Sequence, residues 1–338
     1  MTRPARPLLW PLVPAYMLAL GLREMQLRMG LKPVRRLRWS VVSIGNLSAG
    51  GAGKTPLTIA LAKALAARGV HVDVLSRGYG RHSVLPFLVD PSDTAEEFGD
   101  EPLVIAREAQ VPVYVAGERY EAGLLSERAS QRVSESASRQ IREPAGERPH
   151  VHLLDDGFQH RQLHRDIDIL LLSGADLADH LLPAGNLREA LHAAERADVI
   201  AIPADEPEMI DWIRSQGWQK TIWRLRRQMV VPQIDGPVVA FCGIARPDQF
   251  FVGIERAGIC IAAQIAFADH HLYTARDLER IQAEARKANA AALVTTEKDR
   301  ARLGALALNF PFKVVPLRME IEDEAAAVDG LMHRLTSQ

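Results

Sequence analysis

Cysteine is almost missing from this 338-residue chain, which holds Cys242 and Cys260 alone. So few exclude a disulfide framework and the usual multi-cysteine zinc sites, and they permit a reducing compartment. Aromatic residues make up 6%, too few to suggest a stacking surface for single-stranded nucleic acid. Neither sign of charge prevails: 41 Lys and Arg stand against 42 Asp and Glu, a net charge of −1. Taken whole, the chain has no polyanion-binding signature, and no nucleic-acid partner or obligate protein partner is expected. The 16 residues between Arg6 and Arg23 carry no charge, but a spanning helix needs about 20. Apolar residues at 47% and charged residues at 25% are the mix of a soluble globular protein, long enough for about two domains.

The near-zero charge conceals a split. Residues 1–38 hold Arg3, Arg6, Arg23, Arg28, Lys32, Arg35, Arg36 and Arg38 against Glu24, which makes +7; the other 33 basic and 41 acidic residues make −8. The uncharged run includes Trp10, Tyr16 and several leucines. An apolar plug, aromatics at headgroup depth and flanking arginines suit an interfacial anchor on an anionic bilayer. A signal peptide has similar parts, with cleavage after Ala19-Leu20-Gly21, but arginines just downstream oppose translocation. A helix simply packed on the body is the third reading. We take 1–38 as a membrane-anchoring segment.

Strand and helix patterns alternate after it. Trp39–Ile44, His71–Leu75, Val84–Val89, Val111–Val115, Val151–Leu154, Ile167–Leu172 and Val199–Ile202 read as strands, and Lys54–Arg68 has helical spacing. Continuous apolar strands alternating with helices predict an α/β fold, a mostly parallel sheet covered on both faces. The core is expected over 39–225. Within it, the Ser-, Arg- and Glu-rich stretch 126–150 reads as an exposed, functionless insertion. A fresh start near Met229–Val231 and Val238–Phe241, around the Asp235-Gly236-Pro237 turn, predicts a smaller unit over 226–310. Residues 311–338 are expected to return to the core as a strand and a helix.

The strongest chemical signal is Ser48, Ala49, Gly50, Gly51, Ala52, Gly53, Lys54 and Thr55, after a strand and before a helix. That is the context of a phosphate-binding P-loop. Its glycines let backbone N–H groups approach phosphate oxygens, and the helix N-terminus adds positive potential. Lys54 supplies a cation for the β- and γ-phosphates, and Thr55 a hydroxyl for Mg²⁺. Ser48 stands where the general pattern has Gly. A second segment, Val151 to Asp155-Asp156-Gly157-Phe158-Gln159-His160, is an apolar strand ending in acids, the Walker-B arrangement for metal. Arg77, Gly99-Asp100-Glu101-Pro102, Arg119, Arg188-Glu189, Asp269-His270-His271 and Thr295 to Asp299 fall at strand ends or loops. In an open α/β sheet, ligands gather beyond the carboxyl ends of strands.

In order, SIGNLSAGGAGKTP, SRGYGR, GDEP, LLDDGFQHRQLHRDIDILL, LLPAGNLRE, FCGIARPDQF, FADHH and TTEKD resemble the tetraacyldisaccharide 4′-kinase family, the lipid A kinases of Gram-negative bacteria. The likeness runs to about residue 300; the Ser48 start is normal for that family, while Asn186 and the 126–150 stretch depart from it. It implies a RecA-like P-loop core with a smaller closing domain. It also implies ATP and Mg²⁺ as cofactors, and transfer of the γ-phosphate to the 4′-hydroxyl of a tetraacyldisaccharide 1-phosphate, giving lipid IVA at the cytoplasmic face of the inner membrane. By that likeness Asp100 is the base, with His270 its partner and His271 the neighbouring alternative. Lys54 stabilises phosphoryl charge, and Thr55, Asp155 and Asp156 serve metal. Arg77, Glu101, Arg119, Gln159, His160, Arg188 and Glu189 contact substrate, an arginine fork suiting its 1-phosphate.

Two other classes share parts of this pattern. Partitioning-type membrane ATPases carry an early lysine where this loop has Ala49, and P-loop GTPases need a guanine-reading NKxD segment that the sequence lacks.

Overall fold

A computed structural model describes residues 6–81, 83–138, 149–306 and 308–337. A 3₁₀ turn, Pro7–Leu12, leads into α1, Val13–Arg28. The core then runs β1 (Ser40–Asn46), α2 (Lys54–Ala67), β2 (His71–Ser76), β3 (Phe87–Leu88), α3 (Ala95–Phe98) and α4 (Asp100–Ala109). It continues with β4 (Val113–Val115), α5 (Arg119–Ser138), β5 (His150–Asp155), β6 (Ile167–Leu171), α6 (Gly174–Leu177), β7 (Val199–Pro203), α7 (Glu208–Ser215) and β8 (Thr221–Met229). A second set follows: β9 (Val238–Cys242), α8 (Pro247–Arg256), β10 (Ile261–Ala266), α9 (Ala275–Lys287), β11 (Ala292–Thr296), α10 (Glu297–Leu303) and β12 (Phe312–Val315). The last elements are β13 (Leu317–Ile321) and α11 (Glu324–Thr336).

The large sheet has the order β13-β8-β7-β6-β1-β5-β2-β4-β3. All pairs are parallel except the two edges, β13 with β8 and β3 with β4. Its central strands carry apolar residues on both faces because both are covered. Val42 and Ile44 point into one cluster with Leu57 and Leu61 of α2, Leu103 of α4 and Leu331 of α11. Val41 and Leu154 point the other way, to Ala122 of α5. Each such aliphatic side chain contributes about 1.5–3 kcal/mol by leaving water. The second sheet, β10-β9-β11-β12, is wholly parallel. The order of the large sheet reverses at β1, so the loop after β1 opens at the crevice between β5 and β6.

Several sequence expectations shift. The helix α5 runs through the first half of the expected 126–150 insertion. Ser126 and Glu127 are buried there: Ser126 donates to Asp73 (2.5 Å), and Glu127 accepts from the backbone N–H of Arg38 (2.6 Å) and Trp39 (3.1 Å). These polar residues satisfy groups on distant strands, which a count of apolar residues cannot see. Residues 139–148 lie outside the described residues. Of Val84–Val89, Phe87–Leu88 alone pairs, at the sheet edge. The strand β8 was not expected; its arginines alternate with buried Trp223 and Leu225, and Arg224 and Arg226 pair with Glu322. The return to the core begins at Leu317, not 311, because β12 pairs with β11.

The N-terminal segment meets the body with one side. Tyr16 Oη donates to the Arg188 carbonyl (2.9 Å), Arg23 to the Gln159 carbonyl (2.5 Å), and Glu24 pairs with Arg161. Leu8, Trp10, Leu12, Met17, Leu18 and Leu22 are exposed. Among the described residues no helix is long and apolar enough to cross a membrane.

Candidate active site

A cavity of about 670 Å³ opens where the loop after β1 faces the second sheet. The loop turns on Gly50, Gly51 and Gly53, at φ of +78°, +65° and +90°. These are left-handed values that L side chains rarely adopt. Arg246 lies against Gly51, where a Cβ would come within 3.2 Å of its side chain. Ser48 is buried and off the cavity; its carbonyl accepts from Asn46 Nδ2 (2.7 Å), whose Oδ1 accepts from Lys54 Nζ (2.9 Å). The residue that replaces the usual glycine thus braces the loop from behind.

At the end of β5, in register with Ile44, two acids part in role. Asp155 is enclosed, with the Thr58 hydroxyl donating to it at 3.2 Å. Burial, joined by the charges of Glu101 and Asp156, pushes it up to about 7 against the pull of Lys54 and Lys298. Asp156, in the left-handed region at φ +50°, is engaged. Arg188 Nη1 donates to both its oxygens at 2.9 Å, and Lys54 Nζ lies 3.4 Å away. Burial would raise Asp156, but Lys54 and Arg188 hold it below the usual carboxylate range.

This donor set fits Mg²⁺. Asp155 is a buried carboxyl tending to neutrality, which a divalent cation would hold ionised. With the Thr55 hydroxyl on the same cavity, it offers hard oxygen donors. Among the described residues no cluster of three or more His, Cys, Asp or Glu is placed to hold a metal.

Opposite the loop stands a polar chain. Asp100 begins α4 after Gly99, at φ +89°, and its Oδ1 accepts from the Glu101 N–H (2.9 Å). Its Oδ2 lies 3.2 Å from His270 Nδ1 and accepts from Arg302 Nε (2.8 Å) and Nη2. His270 lines the cavity and Asp100 does not. His271 turns away to Asp277 (3.1 Å) and stacks on Phe267. Burial alone would raise Asp100, but the His270 hydrogen bond and the charges of Arg302 and Lys298 hold it well below the carboxylate range. The same hydrogen bond raises His270 above the ordinary imidazole value.

Arg77, Arg119, Gln159 and His160 line the wall nearest α1, with Arg23 beside them. Burial first, then the charges of Arg119, Arg165, Arg23 and Arg77, lower His160 to about 4. Glu101 also lines the cavity and accepts from Lys298 (2.5 Å). Glu189 is not brought there; it pairs with Arg196 at 2.9 Å. Sequence reasoning passed over Arg23, Arg227, Arg246 and Arg302. Arg246 sits inside FCGIARPDQF; Arg302, three residues after Asp299, gave no signal beyond helical spacing.

A strand, glycine-rich loop and helix bearing Lys54, facing a strand-end carboxylate and an acid–histidine pair, define a P-loop nucleotide-dependent kinase. Residues 5–336 match the family described as Tetraacyldisaccharide-1-P 4′-kinase, and the chain belongs to that family. It is 40% identical over 309 residues to the tetraacyldisaccharide 4′-kinase of Koribacter versatilis, covering 88% of this chain and 89% of that protein. It is 32% identical over 349 residues to that of Polaromonas naphthalenivorans, covering 98% and 92%. The crystal structure of "apo" form LpxK from Aquifex aeolicus in complex with ATP superposes with a TM-score of 0.73 at 30% identity, covering 98% of this chain and 99% of that one.

Proposed function

We infer that this protein is an ATP-dependent kinase that phosphorylates the 4′-hydroxyl of a tetraacyldisaccharide 1-phosphate to form lipid IVA. The observation that carries the reading is the cavity itself: Lys54 and its loop on one wall, the His270–Asp100 pair on the other, in a chain of this family. The nucleotide's phosphates belong at the loop, where backbone N–H groups, the α2 N-terminus and Lys54 supply fixed positive charge. Asp155 and Thr55 would hold Mg²⁺, which when bound neutralises phosphate charge; Asp156 fixes Lys54 and Arg188. The acceptor hydroxyl enters beside His270 and loses its proton to the His270–Asp100 pair. The basic wall of Arg77 and Arg119 suits the acceptor's own phosphate.

The exposed apolar residues of 7–22 and the basic excess of 1–38 support docking on an anionic bilayer, at the cytoplasmic face of the inner membrane where ATP is present. A four-chain lipid is held in its bilayer by ~0.8 kcal/mol per buried methylene. A docked enzyme reaches the headgroup without extracting it.

Incubation with ATP, Mg²⁺ and tetraacyldisaccharide 1-phosphate should yield the bisphosphorylated lipid; no product from folded, ATP-binding protein would sink the reading. Removing residues 1–28 should weaken partitioning to anionic vesicles, and undiminished binding would move the membrane contact elsewhere.

A further inference from the structure

Large apolar side chains left in water are unevenly placed on this molecule. Among the described residues 18 such side chains are exposed; 10 of them lie in 8–34, 5 in 79–88 and 3 elsewhere. The second group is Tyr79, Val84, Leu85, Phe87 and Leu88, from 39% exposed at Phe87 to 76% at Val84. A single exposed leucine is ordinary, whereas a group gathered in so short a segment marks a surface that meets a partner. Of these five the cavity takes up Tyr79 alone.

The topology places the group. The strand β3 runs antiparallel to β4, so Phe87 pairs with Val115, the last residue of β4, and Leu88 with Tyr114. Val84 and Leu85, just before β3, therefore sit at the carboxyl rim of the large sheet. There the Val84 carbonyl accepts from the Gly117 N–H (2.9 Å), two residues before Arg119. Arg77 and Arg119 line the cavity from the same rim, beyond β2 and β4. The helix α1 reaches that rim from the other side: Arg23 also lines the cavity and donates to the Gln159 carbonyl, beyond β5. Since β5, β2, β4 and β3 are adjacent in that order, the order along the rim is α1, then Arg77 and Arg119, then the apolar group. Interstrand steps of about 4.8 Å set β3 roughly 14 Å from β5.

The chemistry favours lipid over a protein strand. An open sheet edge invites strand pairing, but here the Leu85 N–H is bonded to Ser83 Oγ (3.2 Å) and Pro86 has no N–H. The two apolar groups instead flank Arg23, Arg77 and Arg119 at the cavity, an arrangement that suits acyl chains and anionic headgroups in one plane. We propose that residues 84–88, with Tyr79, are a second membrane contact, so that the bilayer is held on both sides of the cavity mouth. This contact builds on the docking of 1–38 proposed above. One contact leaves the enzyme free to tilt about α1; two fix the tilt and hold the arginines at headgroup depth.

The test uses the full chain and vesicles of phosphatidylglycerol and phosphatidylethanolamine that contain no acceptor lipid. A Cys260→Ser chain, whose remaining cysteine is the buried Cys242, carries Leu85→Cys labelled with an environment-sensitive dye. The dye should brighten on vesicles and be quenched by spin labels on the acyl chains. Leu85→Glu/Leu88→Glu should bind these vesicles at least about tenfold more weakly, the effect of returning one aliphatic side chain to water. Val252→Glu, at an exposed site on α8, should bind as the wild type does, and all variants should bind ATP alike. An unquenched dye and an unchanged double variant, on vesicles that the wild type binds, would overturn the second contact and leave docking by 1–38 intact. Quenching that needs acceptor lipid would overturn it too, by assigning the group to the substrate's chains. So would self-association of the wild type in sedimentation that the double variant abolishes, since the group would then face a second copy. A wild type that binds no vesicles would overturn both contacts. The dye reports on the segment even where the double variant fails to fold.

Discussion

Raising the pH should loosen the packing of α5 on β5 around a buried histidine. His152 is fully buried, with Nδ1 2.6 Å from Asp73 Oδ1 and Nε2 3.6 Å from Glu127 Oε1. Burial alone would lower its pKa; the charge of Asp73 and the hydrogen bond to it, joined by Glu127, lift it to about 9 from the ordinary 6.5. The folded chain thus holds this proton more tightly than the unfolded chain. The stability gained is complete below pH 6.5 and is lost as the pH rises through about 9. At 1.36 kcal/mol per pKa unit, the interval corresponds to about 3 kcal/mol. Urea unfolding of the wild type and of His152→Gln, at several values between about pH 6 and about pH 10, isolates it. Gln keeps a donor for Asp73 but does not titrate there. The wild type should lose about 3 kcal/mol more than the variant across the range. Parallel curves would refute the argument, because they would mean the imidazole holds no extra proton in the fold.

Three further outcomes are expected. Lys54→Ala should lower kcat by about 10²–10³-fold, the usual cost of removing one preorganised cationic or hydrogen-bond donor from a transition state, while circular dichroism stays unchanged. Gly45→Ala should destabilise by about 1–3 kcal/mol in thermal or urea melts, because its Cβ would fall 2.5 Å from Phe158 Cβ and 2.8 Å from the Phe158 backbone nitrogen. Asp299→Ala should cost about 3–5 kcal/mol in the same assay, since it leaves the buried Arg302 short of a partner; a loss below about 1 kcal/mol would mean that Asp100 compensates that cation alone.

The parts legible in sequence were those whose chemistry is local. Gly50, Gly51, Gly53 and Lys54 announce their loop because the turn is built from neighbours in sequence. Asp155 was legible because a run of apolar residues ends on it. The adjacent histidines 270 and 271 could not be separated by pattern. They part in space because His270 sits at φ +59°, which sends one ring toward Asp100 and the other toward Asp277. Arg302 was illegible because its partner is 202 residues away, and Ser126 and Glu127 because their partners lie on β2 and in the segment before β1. In β8 the alternation of Trp223 and Leu225 with arginines is a strand pattern, but the density of charge hid it.

The passage between the two sheets has a mechanical consequence. The chain crosses twice, from β8 to β9 and from β12 to β13, and the crossings are stitched together: Leu317 pairs with Met229, and the Val230 N–H donates to the Pro316 carbonyl at 2.9 Å. Two strands bonded side by side form a ribbon, which bends readily across its face but resists shear, since sliding would break hydrogen bonds worth about 1 kcal/mol apiece. Bending of that ribbon is thus the soft direction for the smaller sheet against the larger, like a door on a strip of leather. Arg302 rides on that door, and Asp100 is mounted on the frame.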